Sequence, residues 1–346
     1  MPSLLLPFLT AAVFSASPAE VALLCSPAGG QSTQLRFQPL GSLELAPVVA
    51  EVAHLPGESV LGSVLPHSKT VLAIATTAPT RDLSFAASLI RLEADAPPRF
   101  LADRVVPSTR PLVTSTGRVF VQRGKPGTVP TERGAMRVDS LTIDEISTLD
   151  GSARTVHTFT GFIAFLAGEF DGRLIVYRVG VEGADLIALH PDALSVTLLA
   201  RITPLARDFV VDSKGRALYY TQGNPQRGQW FIERLDFDTL KTGALPARGF
   251  DMALLPTLFP KEPLAFSPGT GQGLRAVGTD KTVFPSTGKG YERLRAFAAR
   301  GNIAIGLNEV PSDFATPFAV DLRTGKSIPF VAPAKNLLDI AGLTEP

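Results

Sequence analysis

Short apolar bursts, separated by turns that carry Gly and Pro, run the length of this chain, and they recur. From residue 59 to residue 333 the same order of strand signals returns roughly every 43 to 52 residues. Each block opens on a mostly apolar segment: Val60–Leu65, Arg110–Ser115, Phe162–Ala167, Asp208–Asp212, Asp251–Leu255 and Leu294–Ala298. Apolar runs this short predict inner strands buried on both faces. A turn and a second strand follow, most clearly in Thr116-Gly117-Arg118-Val119-Phe120-Val121, Asp171-Gly172-Arg173-Leu174-Ile175-Val176-Tyr177 and Lys214-Gly215-Arg216-Ala217-Leu218-Tyr219-Tyr220. The Gly supplies the positive φ of a tight hairpin, and the β-branched and aromatic residues after it favour extended backbone. Arg300-Gly301-Asn302-Ile303-Ala304-Ile305 is a looser copy. Alternating segments such as Ile232–Phe237 and Phe318–Leu322 then lead into Thr-Gly turns, as on sheets that partly face water.

The pattern ends out of phase. Six blocks fit between residues 59 and 333, leaving one inner-strand signal at Asn336–Leu343 and three further strand signals at Val21–Leu24, Gln34–Phe37 and Leu45–Ala50. One strand from the C-terminus and three from the N-terminus complete a seventh block. The chain is therefore expected to be all-β: one seven-bladed propeller of four-stranded blades over residues 20–346, closed by pairing its ends so that no edge strand is left open. On these strand–Gly-turn–strand units, and on Asp-x-x-Thr-Gly turns such as Asp321-Leu322-Arg323-Thr324-Gly325, it resembles the bacterial propellers of the TolB-like, YVTN-repeat and quinoprotein-amine-dehydrogenase-like group. That resemblance implies a fold. The group spans scaffolds, binding modules and enzymes, so it implies no activity. WD40 repeats fit poorly, because no Trp-Asp pair closes a block and Trp230 is the sole tryptophan.

Charge narrows the partners. A formal net charge of +1 with 19% charged residues offers no basic field for nucleic acid or for an acidic membrane surface. A lone cysteine, Cys25, rules out an intrachain disulfide and a Cys-rich metal site. The apolar run from Met1 to Phe14, followed by Ser17-Pro18-Ala19, reads as an export signal cleaved after Ala19, although it lacks a basic start. Beyond it, no apolar stretch reaches the length of a spanning helix.

Motifs with chemical associations mostly dissolve into turns. Thr324-Gly325-Lys326-Ser327 lacks the upstream Gly and the following helix of a phosphate loop. Gly271-Gln272-Gly273-Leu274-Arg275-Ala276 runs into a strand instead of the helix that a dinucleotide fingerprint requires. His54, His67, His157 and His190 are read as turn or surface residues. Glu169 and Asp171 have spacing suited to Ca²⁺, and Asp208 and Asp212 fall on one side of a regular strand. No cofactor is expected, with Ca²⁺ as the alternative.

Polar residues at or near the starts of the inner strands would meet around the channel mouth. These are Arg110, Asp208, Asp251, Arg295 and Asp339, and their mixed charges suit either a polar ligand or a ring of interblade ion pairs. The expected function is an exported, periplasmic or extracellular, non-catalytic binding or scaffold protein. Its partner would be a protein or a small polar ligand, contacted through insertions such as Gly124–Met136 and Asn224–Gln229. The enzyme alternative is a metal-dependent hydrolase or lactonase with a central-channel site.

Overall fold

A computed structural model describes residues 19–27, 29–58, 60–77, 87–124, 141–160, 162–224, 229–254, 263–268, 273–279, 281–284, 293–309, 316–334 and 336–344. Among these there is no helix, and all strand pairing is antiparallel. The strands form five four-stranded sheets and one eight-stranded sheet. Each predicted inner segment is present as a strand: Leu61–Val64, Leu112–Val113, Phe162–Phe170, Ala206–Asp212, Phe250–Leu254, Arg293–Arg300 and Asn336–Leu343. The eight-stranded sheet holds two of them. Its halves, Leu61 to Val105 and Leu112 to Phe159, are joined by the single residue pair Val105–Arg123.

The inner strands pack side by side around an axis. Asn336–Leu343 lies against both Leu61–Val64 and Arg293–Arg300, and Ala206–Asp212 lies between Phe162–Phe170 and Phe250–Leu254. Leu61–Val64 touches Leu112–Val113, and Phe162–Phe170 touches Val119–Gly124. Apolar clusters fill the spaces between neighbouring sheets. Phe170 and Tyr177, for example, pack with Leu218, Tyr220 and Phe237 of the next sheet, the Phe170 and Phe237 rings stacking at 4.0 Å.

The termini meet as the leftover segments predict. Asn336–Leu343 pairs with Glu20–Pro27, which continues into Ser32–Pro39 and Ala50–Ala53. Cys25 stands opposite Leu338, Leu23 opposite Ile340 and Pro27 opposite Asn336. The Thr344 amide then donates to the Glu20 carbonyl at 2.9 Å.

Two expectations need correction. The third N-terminal strand runs over Ala50–Ala53 and does not start at Leu45. Carbonyls that a strand would have used for ladder bonds instead accept from side chains: Arg36 Nη1 donates to the Ala46 carbonyl and Gln38 Nε2 to the Glu44 carbonyl. Burial of the inner strands on both faces holds only in part: Leu338–Ala341 and Asp251–Ala253 are buried at successive positions, whereas Ala206–Val211 is only half-buried throughout. Thr70–Ala75, a second strand, is buried at every position, covered by a neighbouring sheet on each side.

Gly249 shows how closely the backbones approach where one sheet hands over to the next. A Cβ there would overlap the Ser267 carbonyl oxygen and come within 2.7 Å of Phe266 Cδ2. Gly249→Ala is expected to destabilise the fold by about 1–3 kcal/mol, read as a lower urea midpoint with an unchanged slope. No helix among the described residues is long and apolar enough to cross a membrane.

Candidate functional site

Inner strands line a cavity of about 590 Å³, a size suited to a small ligand. Its wall includes Arg110, Asp208, Phe209, Asp251, Met252 and Phe297. Three of the five residues expected at the channel mouth therefore line one cavity. Asp339 sits directly behind it, and Arg295 lies on Arg293–Arg300 with its side chain outside the described residues.

Arg110 and Asp339 join the C-terminal strand, Leu61–Val64 and the segment just before Leu112–Val113. Asp339 Oδ1 accepts from Arg110 Nη2 at 2.6 Å, and Oδ2 accepts from the Gly62 amide at 3.2 Å. Arg110 Nη1 donates to the Ile340 carbonyl at 3.1 Å and to the Gly62 carbonyl. The Asp339 side chain is 4% exposed. This carboxylate ties the C-terminal strand to Leu61–Val64, and through Arg110 to the strand beyond.

Asp208 and Asp251 occupy matching positions on adjacent inner strands. Both have left-handed backbone, with φ of 55° and 51°, and both lie at register shifts, between Arg207 and Val210 and between Phe250 and Ala253. Aspartate tolerates this conformation better than most residues, and such bulges re-aim the neighbouring side chains. Asp208 Oδ2 accepts from Thr221 Oγ1 at 2.9 Å and from the Asp251 amide at 3.4 Å. The same bulge separates Asp208 from Asp212, so the expectation of one shared side fails. Asp212 Oδ1 instead caps the hairpin turn by accepting from the Gly215 amide at 2.8 Å.

The Ca²⁺ spacing at Glu169 and Asp171 also resolves into separate bonds. Glu169 Oε2 accepts from the Ser115 amide at 3.1 Å, while Asp171, a turn residue with φ of 48°, pairs with Arg216 at 3.2 Å. Thr324-Gly325 is a hairpin turn whose amides bond to Asp321. Leu274–Ala276 is a strand, and Gly271 and Gln272 lie outside the described residues.

The histidines divide. His190 is exposed and His67 is a turn residue with φ of 55°. His54 is buried, contrary to expectation, because its ring completes a buried hydrogen-bond chain: Nδ1 to the Leu55 carbonyl at 2.7 Å, Nε2 to Thr33 Oγ1 at 2.8 Å, and Thr33 to Ser26. His157 is half-buried on Ala153–Phe159, edge-on to Phe159. Burial, then the charge of Arg178, holds its imidazole below the ordinary value. The unfolded chain therefore binds this proton first as pH falls through about 6.5, and stability drops below that point. His157→Gln is expected to lose less stability than the parent between pH 7.5 and pH 5.5, measured as urea midpoints at the two values.

One constellation was missed by sequence reasoning. The Arg207 guanidinium lies 4.1 Å from the Trp230 ring centroid and 5.3 Å from that of Phe250, and Nε sits 3.2 Å from Asp208 Oδ2. The available signal was Gly223, directly opposite Trp230 in the hairpin, where a Cβ would press on the indole at 3.2 Å.

No family model and no curated protein matches the chain. Solved structures do. A prolyl endopeptidase aligns at a TM-score of 0.59 and 13% identity, covering 94% of this chain and 50% of that one. TolB from Acinetobacter baumannii aligns at 0.53 and 7% identity, covering 94% and 67%. A puromycin-hydrolyzing peptidase from Mycobacterium tuberculosis aligns at 0.53 and 14% identity, covering 79% and 46%. The chain thus spans half the length of the prolyl endopeptidase. These likenesses bear out an all-β propeller fold. At such identities they carry fold and no activity.

Proposed function

We propose that this chain is a seven-bladed propeller that acts outside the cytoplasm as a non-catalytic binding or scaffold protein, presenting its channel mouth and loops to a protein or a small polar ligand. The blade count is supported by the seven inner strands and by the lone pair, Val105–Arg123, that joins the halves of the eight-stranded sheet. The functional reading rests on one observation above others. Charged groups at the channel mouth are bonded into neighbouring strands, as in the Arg110–Asp339–Gly62 junction and the Asp208–Thr221 bond. Groups held this way build a rigid rim with a concave, half-apolar centre, which suits recognition.

Metal analysis of the purified protein, with a thermal-shift titration of Ca²⁺, separates this reading from the metal-dependent hydrolase. A bound divalent ion or a Ca²⁺-dependent rise in melting temperature would overturn it; neither is expected. The export signal, residues 1–18 of which lie outside the described residues, is tested by mass spectrometry of the secreted chain. A mature N-terminus at Glu20 is expected, and an intact Met1 would contradict export.

A further inference from the structure

Arg207 is held as a receptor would hold it. The bulge lies directly after it, and its guanidinium carbon sits over Trp230 at 4.1 Å and Phe250 at 5.3 Å, within cation–π reach of both rings. Asp208 Oδ2, itself fixed by Thr221 and the Asp251 amide, faces the Nε edge. The terminal nitrogens Nη1 and Nη2 make no hydrogen bond or ion pair among the described residues, and the side chain is 41% exposed. The guanidinium thus has one edge faced by an internal carboxylate and presents its forked end to solvent. Leu205, exposed, sits beside it, its backbone carbonyl bonded to the Gly223 amide that underlies Trp230.

We infer that Arg207, seated on Trp230 and Phe250, is a carboxylate-binding site, and that it takes a carboxylate carried next to an apolar group. A planar fork bonds a carboxylate through two parallel N–H···O bonds, and a guanidinium already fixed by stacking loses little freedom on binding. The aromatic rings and Leu205 give the adjoining apolar group a surface to rest on. This goes beyond the binding-or-scaffold reading, because an enzyme would hold a carboxylate here by the same geometry.

Trp230 is the sole tryptophan, so its emission reports on the site directly. The test titrates the intact protein with N-acetyl-phenylalanine, with its uncharged amide, and with a doubly blocked Glu-Phe dipeptide, following Trp230 fluorescence. The free acid is expected to bind and the amide is not. Binding of the blocked dipeptide assigns the site to side-chain carboxylates, and its failure beside a binding free acid assigns it to chain termini. Arg207→Lys keeps the charge and loses the fork, and is expected to weaken the acid by about tenfold or more. Arg207→Gln is expected to remove binding while both variants keep the parent's melting temperature within a few degrees. Equal binding of acid and amide, an unchanged affinity in folded Arg207→Lys, or no response to either carboxylate would overturn the inference.

Discussion

A chain ending at residue 335 is expected to lose cooperative unfolding. The missing segment carries Leu338 and Ile340, both 2% exposed, and each contributes about 2–3 kcal/mol on burial. Its loss also strips the ladder from one side of Glu20–Pro27, which would become a long apolar edge open to aggregation. Asp339 goes with it, leaving Arg110 and the Gly62 amide without that carboxylate. Together these losses approach the whole stability of an ordinary domain, about 5–15 kcal/mol. Cys25 supplies the readout. It is fully buried opposite Leu338, and burial pushes its thiol up to about 12. In the intact native protein a thiol reagent at pH 8 should not label it, while the truncated chain should label as fast as the unfolded one. Slow labelling of the truncated chain would show that the ring holds without its last strand.

Asp339→Ala is expected to give the largest loss of any single polar substitution at the channel mouth, about 3 kcal/mol. Removing one member of a buried ion pair strands the other, and here the Gly62 amide is stranded too. The low end of the usual range applies because 37% of the Arg110 side chain remains exposed and can be rehydrated. A double-mutant cycle separates the pair from its surroundings. Asp339→Leu combined with Arg110→Met should recover much of the loss, since neither charge then needs a partner. Denaturant midpoints of the parent, Asp339→Leu, Arg110→Met and the double variant close the cycle, with Asp339→Ala measured beside them. If Asp339→Ala unfolds like the parent, the junction does not hold the closure.

Much of this fold was legible because turn chemistry is local. Asp171-Gly172 and Lys214-Gly215 announce hairpins, although the positive φ of the second turn falls on Arg216 and not on Gly215. The closure was legible because the leftover segments at Val21–Leu24 and Asn336–Leu343 complement each other. What the sequence concealed depends on contacts across strands. The Leu45–Ala50 signal misleads because Arg36 and Gln38, on the preceding strand, take carbonyls that a strand would have used. The paired turn of Asp208 and Asp251 into left-handed backbone is a bulge, and bulges shift the alternation on which spacing arguments rest. Of the residues picked for the channel mouth, Arg110, Asp208 and Asp251 line one cavity. The stacking of Arg207 on Trp230 joins residues from different strands, and no periodicity reports such a contact.

The joining of the two ends into one sheet is the claim on which the ring depends, and the lone native cysteine allows a direct measurement. Leu338→Cys places a second thiol opposite Cys25, while Leu337→Cys places one opposite Ser26, facing the other side of the sheet. Because burial suppresses the Cys25 thiolate, both variants are refolded in a glutathione redox buffer so that the bond forms as the strands pair. An intramolecular disulfide between positions 25 and 338, seen by mass spectrometry in the first variant and absent in the second, is the predicted result. No disulfide in the folded Leu338→Cys protein, or equal bridging in both variants, would contradict the closure.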